Sequence, residues 1–364
     1  MGTAFRARRL LCYVEPEGEC VMANVATFGE IMLRLSPPGK ELLFQSPGLR
    51  AQFGGGEANV AVSLAILGHR SRWISIVPAN PVGEAALREL RRYGVDTGAV
   101  VRGGKRLGLY FAETGANERP SQVFYDRDGS GIAEAGAGAV DWNGALGGMD
   151  WLHVTGITPA LSATAADLTL EAVKAARVKG MTVSLDLNYR TKLWKYGCPA
   201  PEVMRELAGH ADLLTGNEED CQRSLGIGPA ADVAAGRVDP KLYVDLTAAV
   251  MSAFPNLSRV AVTLRESYSA DWNRWSAVLR NRKEFVIGPI HEIRSVVDRI
   301  GTGDAFAAGL IHGLSRPGAS DAEALEFAVA AAALKHTIPG DFNLSTEREI
   351  TALVRGDRSG RVRR

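Results

Sequence analysis

The chain has 364 residues, of which 46% are hydrophobic and 23% are charged. Such a chain can bury a large core, so complete disorder is excluded, and its length fits one large α/β unit with at most a small appendage. Its 42 lysine and arginine residues nearly balance its 41 aspartate and glutamate residues. No broad basic field is therefore available for nucleic acid or an anionic membrane, and a small-molecule partner is favoured.

The two ends of the chain and its cysteines indicate in which cellular compartment the protein works. Arginines precede a short apolar run near the N-terminus, but acidic residues follow at once, so residues 1–22 are interpreted as an N-terminal extension or tag-like tail, with Met22 as the expected natural start. Residues 351–364 are interpreted as a basic C-terminal tail. No apolar run approaches the roughly 20 residues that a membrane helix needs. The four cysteines are scattered without metal-ligand spacing, which suits a reducing cytoplasm.

From Ala26 onward, short apolar or β-branched runs alternate with longer helical patterns, which is typical of βαβ units around a mostly parallel sheet. Helices are predicted over residues 58–67, 85–93 and 165–179, and each is followed by a glycine of the kind that ends helices. Short buried strands are predicted over residues 73–77, 151–155, 182–186, 212–214 and 259–263. The sequence therefore predicts an α/β fold with helices flanking the sheet.

Two segments break this alternation. Residues 108–113 and 122–126 are strand-like and flank a turn-rich stretch, so they predict an antiparallel hairpin inserted between βαβ units. With residues 31–35 and 42–44 they would form a small separate sheet, covering about residues 30–52 and 106–128. The exposed face of such a sheet must be covered either by substrate, as under a lid, or by another subunit.

The segment Gly301-Thr302-Gly303-Asp304 is the most informative in the chain. A strand is predicted over residues 296–300, and a helical pattern follows the segment. Glycines let backbone N–H groups converge, and a helix N-terminus adds partial positive charge, so this turn is suited to a phosphoryl group. Asp304 beside such a site could accept a proton from a hydroxyl, or it could simply cap the helix, and the local pattern leaves both readings open.

This segment resembles the signature of the ribokinase-like (PfkB) family of sugar kinases. A second motif agrees with it: Gly54-Gly55-Gly56-Glu57-Ala58-Asn59 resembles the family's sugar-binding glycine turn. The resemblance extends from about residue 26 to about residue 343 and is greatest with the kinases of 2-keto-3-deoxygluconate. Three further stretches carry that likeness, at residues 152–161, 186–190 and 337–343.

The resemblance implies a three-layer fold over residues 23–350 and a set of roles. Asp304 would be the general base, and Gly301, Thr302 and Gly303 would form the anion hole. The sugar acid would contact Gly55, Asn59, Tyr110, Tyr125, Arg127, Arg190 and Asp341. ATP would contact Asn188, Arg190, Asn217, Thr263, Arg265, Gly301 and Gly303. Mg²⁺ is expected with the nucleotide, weakly and through water, at Asn217 and Asp220. The uncovered small sheet also suggests a homodimer through the lid, with larger assemblies possible.

Two features of the residues themselves bear on this assignment. A sugar carboxylate needs cationic partners, and arginine offers a bidentate fork, so Arg127 and Arg190 could converge on it, although both could also be ordinary surface arginines. The turn after residue 263, where relatives carry glycines, begins Leu264-Arg265 and is bulkier, which alters the nucleotide pocket. His153 lies in a buried-strand pattern and is interpreted as structural.

Three other functions were weighed. A dinucleotide-binding oxidoreductase would need Gly-x-Gly-x-x-Gly after the first strand, and the sequence lacks it. Another sugar kinase of the same family, of the fructokinase or ribokinase type, remains an alternative. A catalytically silent sugar-binding regulator is also possible but is disfavoured by Asp304.

Overall fold

The computed structural model of the protein describes residues 23–228 and 240–357. Its strands are β1 (Asn24–Phe28), β2 (Met32–Ser36), β3 (Arg50–Gly54), β4 (Arg70–Ile74), β5 (Ile76–Val77), β6 (Val101–Arg102), β7 (Gly108–Glu113), β8 (Gln122–Asp126), β9 (Trp151–Thr155), β10 (Thr182–Asp186), β11 (Leu213–Gly216), β12 (Arg259–Ser267), β13 (Asn273–Asn281), β14 (Phe285–Ile287) and β15 (His291–Ile293). Its helices are α1 (Gly56–Ile66), α2 (Pro81–Arg92), α3 (Gly131–Glu134), α4 (Trp142–Ala145), α5 (Ala163–Val178), α6 (Ala200–Ala208), α7 (Glu218–Leu225), α8 (Pro240–Ala253), α9 (Thr302–Ser315), α10 (Asp321–Lys335) and α11 (Glu347–Val354).

The central sheet has the order β14-β13-β12-β11-β10-β9-β1-β4, with β15 also pairing with β13. The strands from β12 to β4 in this order are all parallel, whereas β13, β14 and β15 are antiparallel additions. The mostly parallel sheet predicted from the sequence is thus confirmed. Because parallel strands end at the same edge, the residues after β9, β10 and β11 meet at one rim.

Helices cover both faces of this sheet. Neighbouring residues of β12 face opposite sides. Val260 belongs to a core with Leu168 of α5 and Met204 of α6, whereas Ala261 belongs to a core with Leu310 of α9. The buried β-strand layer therefore lies between two helical layers, as the predicted three-layer fold requires.

The predicted helices are all present, and their ends are more accurate than their starts. Gly68, Gly94 and Gly180 follow α1, α2 and α5 with φ of 88°, 84° and 71°, a region that favours glycine. Helix α2 begins at Pro81, earlier than predicted, because the Asn80 side chain accepts a hydrogen bond from the Gly83 N–H at 3.0 Å.

The small sheet has the order β3-β2-β7-β8, and the predicted hairpin β7–β8 has the observed bounds. The strand predicted over residues 42–44 is wrong. That segment is a turn in which the Leu42 N–H donates to the Gln45 side chain at 3.1 Å and Phe44 has φ of 64°. The remaining strand of the sheet is β3, which has no continuous apolar run because Arg50 and Gln52 interrupt it.

Three strand predictions in the central unit also need correction. The segment 73–77 is split between β4, which lies in the central sheet, and β5, which leaves it to pair with β6. The strand predicted over residues 259–263 continues to Ser267, because β13 pairs with it along its whole length. Residues 296–300 are not a strand, since the Asp298 carboxylate accepts hydrogen bonds from the backbone N–H groups of Ile300 and Gly340, both at 3.0 Å.

Within the described ranges, no helix is long and apolar enough to cross a membrane. The predicted boundary between the kinase fold and the C-terminal tail, at residue 350, lies inside helix α11, which ends at Val354. The predicted N-terminal extension, residues 1–22, lies outside the described residues, as does the tail beyond residue 357.

Candidate active site

A cavity of about 470 Å³ lies between the rim of the central sheet, the start of α9 and the inner face of the small sheet. Every residue that the sequence analysis proposed for a catalytic, sugar-binding, nucleotide-binding or metal role lines this cavity. These residues come from segments far apart in the chain, so only the fold brings them together.

Asp304 is the third residue of α9 and is buried. Its Oδ2 accepts a hydrogen bond of 2.6 Å from the Asn59 amide, and the Asn59 Oδ1 accepts one of 3.1 Å from the Gly55 N–H. The N-cap position of α9 belongs to Gly301, and no side chain caps it. The Asp304 carboxylate therefore faces the cavity and the glycine turn of residues 54–56 rather than serving as the N-cap.

Gly301 has a conformation and surroundings that require glycine. Its φ is 83°, and a Cβ there would collide with the Asp341 carbonyl oxygen and lie 3.3 Å from Cε of Lys335. This close approach leaves the backbone of residues 301–303 at the cavity wall, with the N-terminus of α9 directed at the same point. The arrangement can hold an anion.

The pKa of the Asp304 carboxyl is raised to about 6. Burial is the main cause, and the negative charge of Asp341 adds to it, whereas the Asn59 hydrogen bond and the positive charges of Arg190 and Lys335 lower the pKa. A carboxylate with this proton affinity can take a proton from a hydroxyl near neutral pH.

Asp341 is held on both sides by the small sheet. The Tyr110 hydroxyl lies 2.7 Å and 2.6 Å from its two carboxylate oxygens, and the Arg34 guanidinium lies 2.8 Å from Oδ1. Arg34 also pairs with Asp298 at 2.7 Å. Because Arg34 belongs to β2 and Tyr110 to β7, this buried network joins the small sheet to the loop that follows α10. Sequence reasoning missed Arg34.

Arg127 is 5% exposed, so it is not a surface arginine. Its guanidinium forms an ion pair with Glu30, whose other oxygen accepts a hydrogen bond of 2.6 Å from Ser130, and it lies over the Tyr125 ring at 5.3 Å. Its Nε has no hydrogen-bond partner among the described residues. Arg190 is exposed, and its guanidinium donates to the Tyr189 carbonyl at 2.8 Å. Of the two arginines predicted to meet the sugar carboxylate, Arg127 is therefore anchored by a buried ion pair, whereas Arg190 has one backbone partner.

The predicted metal residues are engaged in helix capping. Asn217 caps α7, and the two Asp220 oxygens accept hydrogen bonds from the backbone N–H groups of Asn217 and Tyr189, both at 2.9 Å. Asp220 is also buried. The described residues contain no group of three or more His, Cys, Asp or Glu arranged for a metal ion. Contact through water remains the prediction for Asn217 and Asp220.

Thr263 and Arg265, for which nucleotide contacts are predicted, lie on the extended strand β12. The Arg265 side chain lines the cavity and makes no hydrogen bond or ion pair with any described residue. Arg299, which the sequence analysis did not single out, also lines the cavity, and it donates to the Ala270 carbonyl at 2.6 Å. It thereby ties the bulky turn between β12 and β13 to the segment that leads into α9.

Two buried carboxyls at the site were also missed. Asp186, at the end of β10, lines the cavity, and burial together with the charges of Asp220 and Asp304 raises its pKa well above the usual range. Glu57 accepts hydrogen bonds from Thr155 at 2.8 Å and Thr158 at 3.0 Å, and burial raises its pKa to about 7. A carboxylate at a parallel strand end was the available signal for Asp186.

His153 is buried in β9, and its Nδ1 lies 2.9 Å from the Ser184 hydroxyl. Burial lowers its pKa to about 3, so the ring is neutral. It does not line the cavity, in agreement with the structural role expected for it.

Comparisons with known proteins identify the family of the chain. A family of sequences described as pfkB family carbohydrate kinase matches residues 22–347. The 2-dehydro-3-deoxygalactonokinase of Haloferax volcanii is 33% identical over 340 residues, which are 93% of this chain and 98% of that protein. The 2-dehydro-3-deoxygluconokinase of Bacillus subtilis is 29% identical over 341 residues, with 92% and 97% covered.

The fold has a close counterpart as well. The crystal structure of 2-dehydro-3-deoxygluconokinase from Thermotoga maritima superposes with a TM-score of 0.86 at 42% identity, covering 92% of this chain and all of that one, 100%. The oxidoreductase alternative is therefore wrong. The predicted ribokinase-like fold and sugar-kinase class are confirmed, and the chain belongs to the pfkB family of carbohydrate kinases.

Proposed function

We propose that the protein transfers the γ-phosphoryl group of ATP to the terminal hydroxyl of 2-keto-3-deoxygluconate and forms the 6-phosphate. The observation that carries this proposal is the convergence, in one cavity, of a buried carboxylate, a glycine turn at a helix N-terminus and two arginines. A base, an anion site and cations for an acid substrate are the parts that this reaction needs. Two relatives named for this sugar acid and one named for its galactonate counterpart support the substrate class.

In this mechanism Asp304 accepts the proton of the sugar hydroxyl as that oxygen attacks phosphorus. Asn59 holds the carboxylate in place through its 2.6 Å hydrogen bond. The backbone N–H groups of Gly301, Thr302 and Gly303 stabilise the charge on the transferring group, aided by the α9 dipole. Little covalent chemistry is required of the protein, so positioning and electrostatics account for the catalysis.

The sugar acid would lie towards the small sheet. Gly55, Asn59, Tyr110, Tyr125 and Asp341 line that side and would contact its hydroxyls. Arg127 would meet the sugar carboxylate through the N–H groups that do not contact Glu30. The Nε of Arg127 has no hydrogen-bond partner in the described structure. Arg190 would approach the sugar acid from the opposite wall of the cavity. There it would also lie close to the phosphoryl group that is transferred.

ATP would occupy the other end of the cavity. Asn188, Asn217, Thr263 and Arg265 line it. Mg²⁺, when bound with the nucleotide, supplies charge neutralisation for the phosphates, and Asn217 and Asp220 would hold it through water. Arg265 is suited to a phosphate oxygen because no carboxylate of the described chain contacts it.

The small sheet would act as a lid and as a dimer surface. Its edge strand β8 is exposed, with Phe124 46% accessible, and Phe44 nearby is 70% accessible. Pairing of this sheet with that of a second copy would cover these rings. Light scattering on purified protein tests this, and a monomer mass at micromolar concentration would refute it.

A coupled ADP-release assay over a panel of sugars tests the reaction. Turnover is expected with 2-keto-3-deoxygluconate, and 2-keto-3-deoxygalactonate is the second candidate because the H. volcanii relative bears that name. Strong activity on fructose or ribose with none on either keto-deoxy acid would move the assignment to another kinase of the family. Absence of turnover with every sugar, with binding retained, would indicate a silent regulator.

A further inference from the structure

Lys335 has a position for which the mechanism above gives no role. It is the last residue of α10, and its side chain is fully buried, at 0% exposure. The Cε atom lies 3.3 Å from the point where a Cβ on Gly301 would be, so the end of the side chain lies directly behind the anion-binding turn. Lys335 does not line the cavity, and the turn separates it from any ligand there.

The ammonium group has few partners. It donates one hydrogen bond of 3.0 Å to the Ile338 carbonyl, and no carboxylate of a described residue lies within ion-pair distance of it. The two acids whose charges act most on Lys335, Asp298 and Asp341, are both paired with Arg34 instead. The positive charge of Lys335 is therefore not cancelled by direct contact and acts on the turn.

A buried ammonium is costly unless something negative compensates it. Burial lowers the pKa of Lys335, while the charges of Asp298, Asp341 and Asp304 oppose that shift and Arg34 adds to it. The helix dipole of α9 points its positive end at the same turn, which adds a repulsive contribution. A negatively charged group above the turn would be attracted by both the ammonium and the dipole.

We propose that Lys335 is a positioning residue whose buried ammonium supplies a fixed positive charge beneath the anion-binding turn of residues 301–303. This inference rests on the proposed phosphoryl transfer. The charge acts through the turn and favours the transferring phosphoryl group when negative charge builds up there. It also acts on Asp304 and favours the deprotonated form of the base. The structural alternative is that Lys335 only anchors the loop after α10 through the Ile338 carbonyl.

Two substitutions separate these roles. Lys335→Gln keeps a donor for the Ile338 carbonyl but removes the charge, and Lys335→Met removes both. The proposal expects kcat to fall by about 10- to 100-fold in both variants, with KM for sugar and for ATP within about threefold of wild type. Lys174→Gln, on the exposed face of α5 where Lys174 pairs with Glu206 at 3.2 Å, is the control and should leave all parameters unchanged.

The pH profile supplies a readout that a structural role would not move. The groups that face Asp304 are Asn59 and Glu57 from α1, Asp186 and Arg190 from β10 and its following loop, Asp341 and Lys335. Because the Lys335 charge lowers the pKa of Asp304, its removal should move the acid limb of kcat/KM to higher pH in both variants. In Lys174→Gln the limb should stay where it is.

The result that would overturn the proposal is a Lys335→Gln enzyme with kcat within about threefold of wild type and an unmoved acid limb, whatever Lys335→Met does. Failure of both variants to fold, judged by circular dichroism, would also overturn it, because the lysine would then be explained by stability. The sugar used is the one that wild type phosphorylates best. If wild type phosphorylates no sugar of the panel, the proposed function fails before any variant is compared.

Discussion

The two ends of the cavity hold their charges in different ways. Around Asp304 and Asp341 the charged side chains are buried, and each carboxylate accepts hydrogen bonds from the chain itself. At the nucleotide end Arg190 is exposed with one backbone partner, and Arg265 has no hydrogen-bond or ion-pair partner among the described residues. The first end is preorganised before any ligand arrives, whereas the second has cations left for a ligand to engage. Substitutions at the first end should therefore affect turnover and stability, and those at the second should affect nucleotide affinity.

The largest effect is expected from Asp304→Asn. Loss of the base should lower kcat by about 10²- to 10⁴-fold while sugar affinity is kept, because Asn can still contact Asn59. Steady-state kinetics and calorimetric sugar binding measure the two quantities. The control is Asp167→Asn on the exposed side of α5. A kcat within tenfold of wild type, roughly, would exclude Asp304 as the base.

The same variant should be more stable than wild type at pH 8. The folded-state pKa of Asp304, about 6, is above the ordinary 3.8, so the native state binds more protons than the unfolded chain between these values. Stability from this group is present at low pH and is lost as the pH rises from about 4 to about 6. Asparagine carries no charge at pH 8, so the folded variant does not have to bury an ionised carboxylate. Thermal melts at pH 8 should therefore show a higher Tm for Asp304→Asn than for wild type.

The next largest effect concerns Arg127. In Arg127→Gln the KM for the sugar acid should rise by about 10- to 100-fold, because a charged partner for its carboxylate is lost. Stability should fall as well, by about 3–5 kcal/mol, since Glu30 is left buried without its cation. The double variant Glu30→Gln with Arg127→Gln should recover stability but not KM. If KM recovers together with Tm, Arg127 is structural only.

A smaller effect is expected at the nucleotide end. Arg265→Gln should raise the KM for ATP by about five- to tenfold, equivalent to about 1 kcal/mol, with the sugar KM unchanged. Arg274→Gln is a matched control, because Arg274 lies on the neighbouring strand and pairs with Glu266 at 3.0 Å. Equal effects of the two substitutions would contradict a direct phosphate contact by Arg265.

The smallest effect is a displacement of the pH profile. The kcat/KM of wild type should fall as the pH drops through about 6, because Asp304 must be deprotonated to accept a proton. The Asn59 hydrogen bond lowers that pKa, so Asn59→Ala should move the acid limb upward by about 0.5 to 1 pH unit. An unmoved limb would show that another group controls it, such as Glu57, whose pKa is about 7.

Local patterns predicted much of the framework correctly. The strands Gly108–Glu113, Trp151–Thr155 and Thr182–Asp186 have the predicted bounds, because apolar side chains and flanking turn residues mark them. Strand β3 escaped detection because Arg50 and Gln52 interrupt its apolar residues and its pairing with β2 is set by backbone contacts. Leu42 and Phe44 were misassigned because an apolar side chain need not be buried, and here both are largely exposed.

The same contrast applies to the site. The glycine turn and Asp304 were visible because phosphate anchoring needs particular residues in a short segment. The position of Arg34 was not, since its partner Asp341 lies 307 positions away, and neither was that of Lys335, which lies behind Gly301 only in the fold. Glu30 was likewise missed, because an ion pair with Arg127 leaves no local pattern.

The sequence by itself determined the α/β class, the family and many of the residues that line one cavity, because these depend on periodicity and on short motifs. Only the tertiary structure decided which carboxylates are buried, which arginines are already paired and what lies beneath the anion-binding turn. Proton affinity and charge compensation depend on burial and on contacts between remote segments, and no local pattern encodes them.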